Sequence, residues 1–161
     1  MSDFKAIKQN KTEMHKGQLE VYEKHADNLA GKREHTDRMF EAMKNQVRDI
    51  NDLMAIEAAQ QDSDTRYRDA FREQVEAPSD AIKKEMERDA DELEEESRNV
   101  MRAADHAIGN GVSDDVAARI KSELGKSATE FDKMGRNARD IMAVHDQGVN
   151  ASRLRVYGMY K

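Results

Sequence analysis

The chain has 161 residues with 33 acidic and 27 basic side chains, a formal net charge of −6, only 5% aromatics, one proline, no tryptophan and no cysteine. The lack of cysteine excludes disulfides, thiolate metal sites and cysteine nucleophiles, and no apolar run approaches the roughly 18–20 residues that span a bilayer. Charged residues make up 37%, against roughly 25% in ordinary domains. Few large apolar side chains remain for a thick core, yet those present are periodic. Periodicity argues against disorder and for long helices exposed over most of their circumference.

In chain order, a first helix is expected to start near Asp3, where Ser2 or Asp3 supplies a cap. Its seam steps by three and four through Leu19, Tyr22, Ala26 and Leu29, then Phe40, Met43, Val47, Ile50 and Met54. Only the polar pair Arg33 and Thr36 interrupts it. Tyr67, Phe71 and Val75 restore a face at steps of four after a polar stretch at residues 60–65. Pro78 is expected to end this helix, because the residue before a proline is pushed out of the helical region. The first helix is therefore placed over residues 3–76.

A second helix is expected over 79–108, capped by Ser79-Asp80, with Ile82, Met86, Ala90, Leu93, Ser97, Val100 and Ala104 on one stripe. Gly109-Asn110-Gly111 is the clearest turn signal. The third helix is placed over 113–150, capped by Ser113, with Ile120, Leu124, Phe131, Met134 and Ile141 in its seam. Residues 152–161 read SRLRVYGMYK and form a candidate docking tail, since Tyr and Arg are enriched at binding anchors.

Short connections place successive helices antiparallel. The expected fold is all-α, a single elongated antiparallel three-helix bundle or coiled coil with one very long N-terminal helix. A seam on helix one longer than its two covering helices calls for a partner protein or a second copy. The expected intramolecular core is Phe40, Met43, Val47, Ile50 and Met54 of helix one with Leu93, Val100, Ile120, Leu124, Phe131, Met134 and Ile141 of the other two. The expected partner interface is Leu19, Tyr22, Leu29, Arg33 and Thr36, together with Leu154, Val156, Tyr157 and Tyr160 of the tail. Replacing the polar pair by Leu and Ile is expected at this level to raise stability. The charge is uneven as well. Residues 78–110 hold ten acidic and five basic groups, and residues 111–161 hold seven acidic and nine basic. That asymmetry suggests intramolecular pairing or head-to-tail association more than a nucleic-acid partner.

Signals for chemistry are sparse. None of His15, His25, His35, His106 and His145 has Glu three residues before it, as carboxylate-bridged metal sites in bundles require. Successive histidines among the first three drift by about 80° around a helix, so they form no single site. There is no GxxxxGK[ST], GxGxxG or Gly-x-Ser-x-Gly stretch. No catalytic role, cofactor or metal is expected. Arg136 and Arg139 could share a basic face, but Asp132 and Asp140 flank them, and no nucleic-acid partner is expected.

Ten methionines lie largely at or beside the seams, where flexible thioethers suit changing partners. In size, charge and helix pattern the chain is similar to the small helical chaperones, adaptors and exported subunits of bacterial specialised secretion systems. The helical-hairpin family with a Trp-x-Gly turn is not matched, since the chain has no tryptophan. The expectation is a non-enzymatic protein–protein interaction module, forming a homo-oligomer or a helical hetero-complex. Its place is cytoplasmic, or outside the cell without an ordinary signal peptide, because the first twelve residues carry no apolar run. The alternatives are a structural coiled-coil subunit of a filament, phage particle or scaffold, and a helical toxin-neutralising protein or an enzyme with a site that spacing does not reveal.

Overall fold

The computed structural model describes residues 2–158. The protein is an all-α bundle with a long N-terminal helix. Helix α1 covers Ser2–Gln46, α2 Ile50–Phe71, α3 Ala77–Gly109 and α4 Asp114–Val156. A π-helical turn, Arg72–Glu76, joins α2 to α3 without an intervening non-helical residue. The described chain is thus three helical rods, as expected, but three boundaries differ from the expected ones.

The first rod ends at Gln46, not near residue 76. Val47, Arg48 and Asp49 leave the helix, and Asp49 takes an extended conformation with φ −75° and ψ 128°. Its side chain accepts a hydrogen bond from the Asn51 N–H at 2.8 Å, which caps α2. The seam Phe40, Met43, Val47, Ile50, Met54 keeps helical spacing straight through this reversal. Residues three and four apart keep that spacing whether or not a turn lies between them, so periodicity is blind to the reversal.

Pro78 does not end a helix. It lies within the continuous second rod, and Ser79-Asp80 is not a helix start. Proline removes one N–H and its ring crowds the carbonyl four residues back. The wide turn just before it answers this. The Ala77 N–H donates to the Arg72 carbonyl five residues back, the register of a π-bulge. Phe71 and Val75, at this distortion, are fully buried, so packing holds the local irregularity in place.

The third rod runs to Val156, six residues beyond its expected end. Gly111, at φ +86°, makes the turn into it. Its last residues form part of a core, and Gly158 at φ +68° stops the helix in the left-handed conformation that suits glycine.

The chain divides into two compact units. The first contains the chain up to Lys16 with Lys83–Ala143; the second contains Gly17–Ile82 with the chain from Val144 onward. In the first, Leu93, Val100, Ala128 and Phe131 form the buried cluster, with Phe4, Leu124 and Met134 packed on it. Phe4 meets Phe131 edge-on at 5.7 Å between centroids. Gly135 gives α4 close access to α3, since a Cβ there would stand 3.2 Å from the Ala90 carbonyl oxygen. Arg139 binds Glu94 and Asp91, and that pairing holds the Glu94 carboxyl below its ordinary value. In the second unit, Ala26, Leu29, Ala30, Phe71, Val75, Val149 and Val156 form the core, lined by Tyr22, Tyr67, Ala70 and Tyr157.

Asp49→Ala is expected to lower stability by about 0.5–2 kcal/mol, the usual worth of an N-cap. Urea denaturation followed by circular dichroism measures it. An unchanged midpoint would mean that the cap does not set the start of α2.

Candidate functional site

In the second unit the C-terminal part of α1 and α2 run antiparallel. Arg33 meets Asp64 at 3.3 Å, the Thr36 hydroxyl meets the Tyr67 hydroxyl at 2.9 Å, and Gln60 Nε2 donates to Asp37 at 3.3 Å. Helix α4 covers the neighbouring part of this pair and then stops. Arg155 binds Glu34 and Asp27, Arg153 Nε binds Glu76 at 2.6 Å, and Arg68 donates to the Tyr157 carbonyl at 3.0 Å. Arg33 and Glu34 thus meet Arg155 near the end of α4, and Arg68 meets Tyr157 just past it. Beyond them, residues 34–66 are two helices and a turn.

Arg33 stands at the junction. Its side chain is only 12% exposed, and one guanidinium binds three elements. Nη1 lies 2.9 Å from Asp37 of its own helix, Nη2 faces Asp64 of α2, and Nη1 also reaches the Arg155 carbonyl of α4 at 3.4 Å. Gly158 lies against the guanidinium so closely that a Cβ there would stand 2.6 Å from Nη2. Burial pushes the Asp37 carboxyl above its ordinary value, and the nearby Asp64 carboxylate adds to this, against the opposing pull of Gln60 and Arg33. A cleft of about 760 Å³ opens here, with Arg33, Asp37, Glu41, Gln60, Asp64 and Tyr157 in its walls.

The expected division of the α1 seam is reversed. Leu19 and Leu29, expected at a partner interface, are 1% and 6% exposed inside the chain's own core. Val156 of the tail is fully buried there too. Tyr22, Arg33, Thr36, Leu154 and Tyr157 are half-buried, and Tyr157 packs edge-on against Phe71. Tyr160 lies outside the described residues. Conversely Met43, Ile50 and Met54, expected in the core, are 45%, 69% and 61% exposed. Phe40 and Val47 are half-buried. The reason is the turn at Val47–Asp49. It folds α2 back on α1, and α4 ends before it reaches these positions. In the first unit Leu93, Val100 and Phe131 are buried, and Ile120, Leu124, Met134 and Ile141 are half-buried.

The junction at Arg33, Asp37, Gln60 and Asp64 escaped sequence reasoning, because its members meet only after the hairpin forms. The hairpin itself left a signal. Asp49 followed by Asp52 is an N-cap pattern with acid in the first turn, hidden inside the seam. His15 is buried 3.2 Å from Glu85 in the first unit, and His145 is buried 3.3 Å from Glu23 in the second. Among the described residues no group of three or more His, Asp or Glu is arranged to hold a metal ion, and no helix is long and apolar enough to cross a membrane. Among the described residues, fold and site define a helical bundle in which the helix pair over residues 34–66 is incompletely covered. No protein-family model, curated protein or solved structure matches the chain.

The structure reverses the expected sign of one substitution. Arg33→Leu with Thr36→Ile removes a buried cation and leaves Asp37 and Asp64 facing each other, so stability should fall by about 2–4 kcal/mol. A rise in the melting temperature would show that the junction contributes nothing. Asp37→Asn should act oppositely. Asp37 binds its proton more tightly in the folded chain, so its ionisation lowers stability as pH rises through the folded value. The Asn variant should be more stable than the wild type at pH 7, and the gain should fade below the ordinary carboxylate range. Urea midpoints measured across acid and neutral pH check both sign and window.

Proposed function

We propose that this chain is a non-enzymatic helical interaction module, of the chaperone, adaptor or assembling exported-subunit kind that accompanies bacterial specialised secretion systems. One observation carries the reading: Met39, Met43, Ile50 and Met54 are 45–69% exposed on a helix pair that, among the described residues, no third helix covers. Exposed large apolar side chains gathered on one short hairpin are a feature of interaction surfaces. Covering each contributes roughly 1.5–3 kcal/mol when burial is complete. Three of the four are methionines, whose flexible thioethers adapt to more than one partner shape.

The rest of the molecule suits this role. The covered parts of the helices are held by apolar clusters and by ion pairs between elements, which makes a firm platform for the hairpin. The chaperone, adaptor and assembling-subunit roles share the requirement for such a surface. A structural subunit of a filament or particle uses the same physics and differs in its partner, which is then another copy.

Met43→Glu with Met54→Glu places charge on the hairpin at positions that are already exposed, so helicity and melting temperature should change little. Recovery of bound protein from native lysate should fall by roughly tenfold or more relative to the wild type, as expected from losing two apolar anchors. Equal recovery with both proteins would remove the hairpin as the interaction surface.

A further inference from the structure

The two arms of the 34–66 hairpin are held loosely. Every residue from 34 to 66 is half-buried or exposed, and even Phe40, Val47, Leu53 and Ile56 are no better than half-buried. Segments with little buried apolar surface open at low cost. Polar contacts between the arms therefore carry more weight here than in the cores.

Those contacts gather where the hairpin leaves the covered part of the second unit. Asp37 of α1 and Asp64 of α2 both bind Arg33, at 2.9 and 3.3 Å. The two carboxyl groups also come within hydrogen-bonding reach of each other, and their side chains are only 24% and 22% exposed. Two ionised carboxylates on one guanidinium leave a negative charge unbalanced. A proton held between them removes the excess.

The neighbouring cations are engaged elsewhere or face solvent. On α1, Lys44 lies among Glu41, Glu57 and Asp37 and bonds Glu41 at 2.7 Å, while Arg38 lines the cleft but is exposed. On α2, Gln60 is neutral and donates to Asp37, and Arg68 donates to the Tyr157 carbonyl. From α4, Arg155 turns its carbonyl to Arg33 and its side chain to Glu34 and Asp27.

We propose that Asp37 and Asp64, joined on Arg33, form a proton-operated latch: a shared proton closes the two arms of the hairpin, and its loss loosens them. This names a regulation of the surface in the interaction reading above and rests on that reading for its consequence. With the proton on Asp37, its carboxyl donates to Asp64 while Asp64 keeps Arg33, so both bonds cross from α1 to α2. Without the proton, like charges on opposite arms repel each other. Asp37 holds its proton more tightly than an ordinary carboxylate, first because it is partly buried and also because Asp64 stands opposite. Opening the hairpin returns both groups to water, so closure weakens as pH rises through the closed-state value.

Amide hydrogen exchange of the whole chain, read by mass spectrometry and corrected for the intrinsic effect of pH, tests the latch. Opening releases one proton, so the opening constant of residues 34–66 should rise by up to about tenfold per pH unit above the ordinary carboxylate range, then level off. Residues 17–30, which include the buried Leu19, Ala26, Leu29 and Ala30, should stay better protected by roughly tenfold or more throughout, the mark of a local opening. Asp37→Asn and Asp64→Asn each delete one carboxylate and should each remove the rise. Asp62→Asn, at an exposed position paired with Arg66, should keep it.

A wild-type profile without a rise overturns the latch, even where a variant does not fold. So does a hairpin as well protected as residues 17–30, or a rise that persists in Asp37→Asn or Asp64→Asn. The lysate comparison with Met43→Glu and Met54→Glu makes no use of pH, so the latch and the interaction reading fail separately.

Discussion

Two helices packed together cover only the sides that face each other, and the outer margins of both seams stay wet until a third helix lies across them. Much of this structure follows from where that third helix is present. In the second unit α4 brings Val149 and Val156 onto Ala26, Leu29, Phe71 and Val75, and exposure there falls to a few per cent or less. Past the end of α4 at Val156, the same two helices continue, and Met39, Met43, Ile50 and Met54 are 45–69% exposed there.

Electrostatics reinforces the covered parts. Arg139 of α4 joins Glu94 and Asp91 of α3, Arg153 joins Glu76, and Arg155 joins Asp27 and Glu34. Most of these groups are partly exposed, so each pair contributes modestly by itself. Their value lies in geometry, because each guanidinium ties α4 to another helix. Arg33 differs from them. It is largely buried, shared among three elements and placed against Gly158, so it couples the end of α4 to the start of the uncovered hairpin. A polar residue that reads as a defect in a seam is thus a junction in the folded chain.

The sequence was legible wherever a rule depends on neighbours within one helix. Helical class, the turn at Gly109-Asn110-Gly111 and the seam through Leu93, Val100 and Phe131 all follow from local spacing. It misled in two places where tertiary packing overrode a local rule. Pro78 is a strong stop by itself, yet Phe71 and Val75 are buried deeply enough to hold a π turn that accommodates it. Val47 and Ile50 continue a heptad across Asp49, yet the chain reverses there. A hairpin and an unbroken helix can share one apolar pattern, so only the extended Asp49 and its cap distinguish them.

What the sequence by itself determined is the kind of element: long amphipathic helices with narrow seams, set by residues three and four apart. What only the tertiary structure decided is which stretch of each seam is covered. Leu19 and Leu29 are inside and Met43, Ile50 and Met54 are outside because of where α4 ends and where the chain turns back. Those are facts about distant segments, and helical periodicity, which relates a residue only to its neighbours on one helix, carries no information about them.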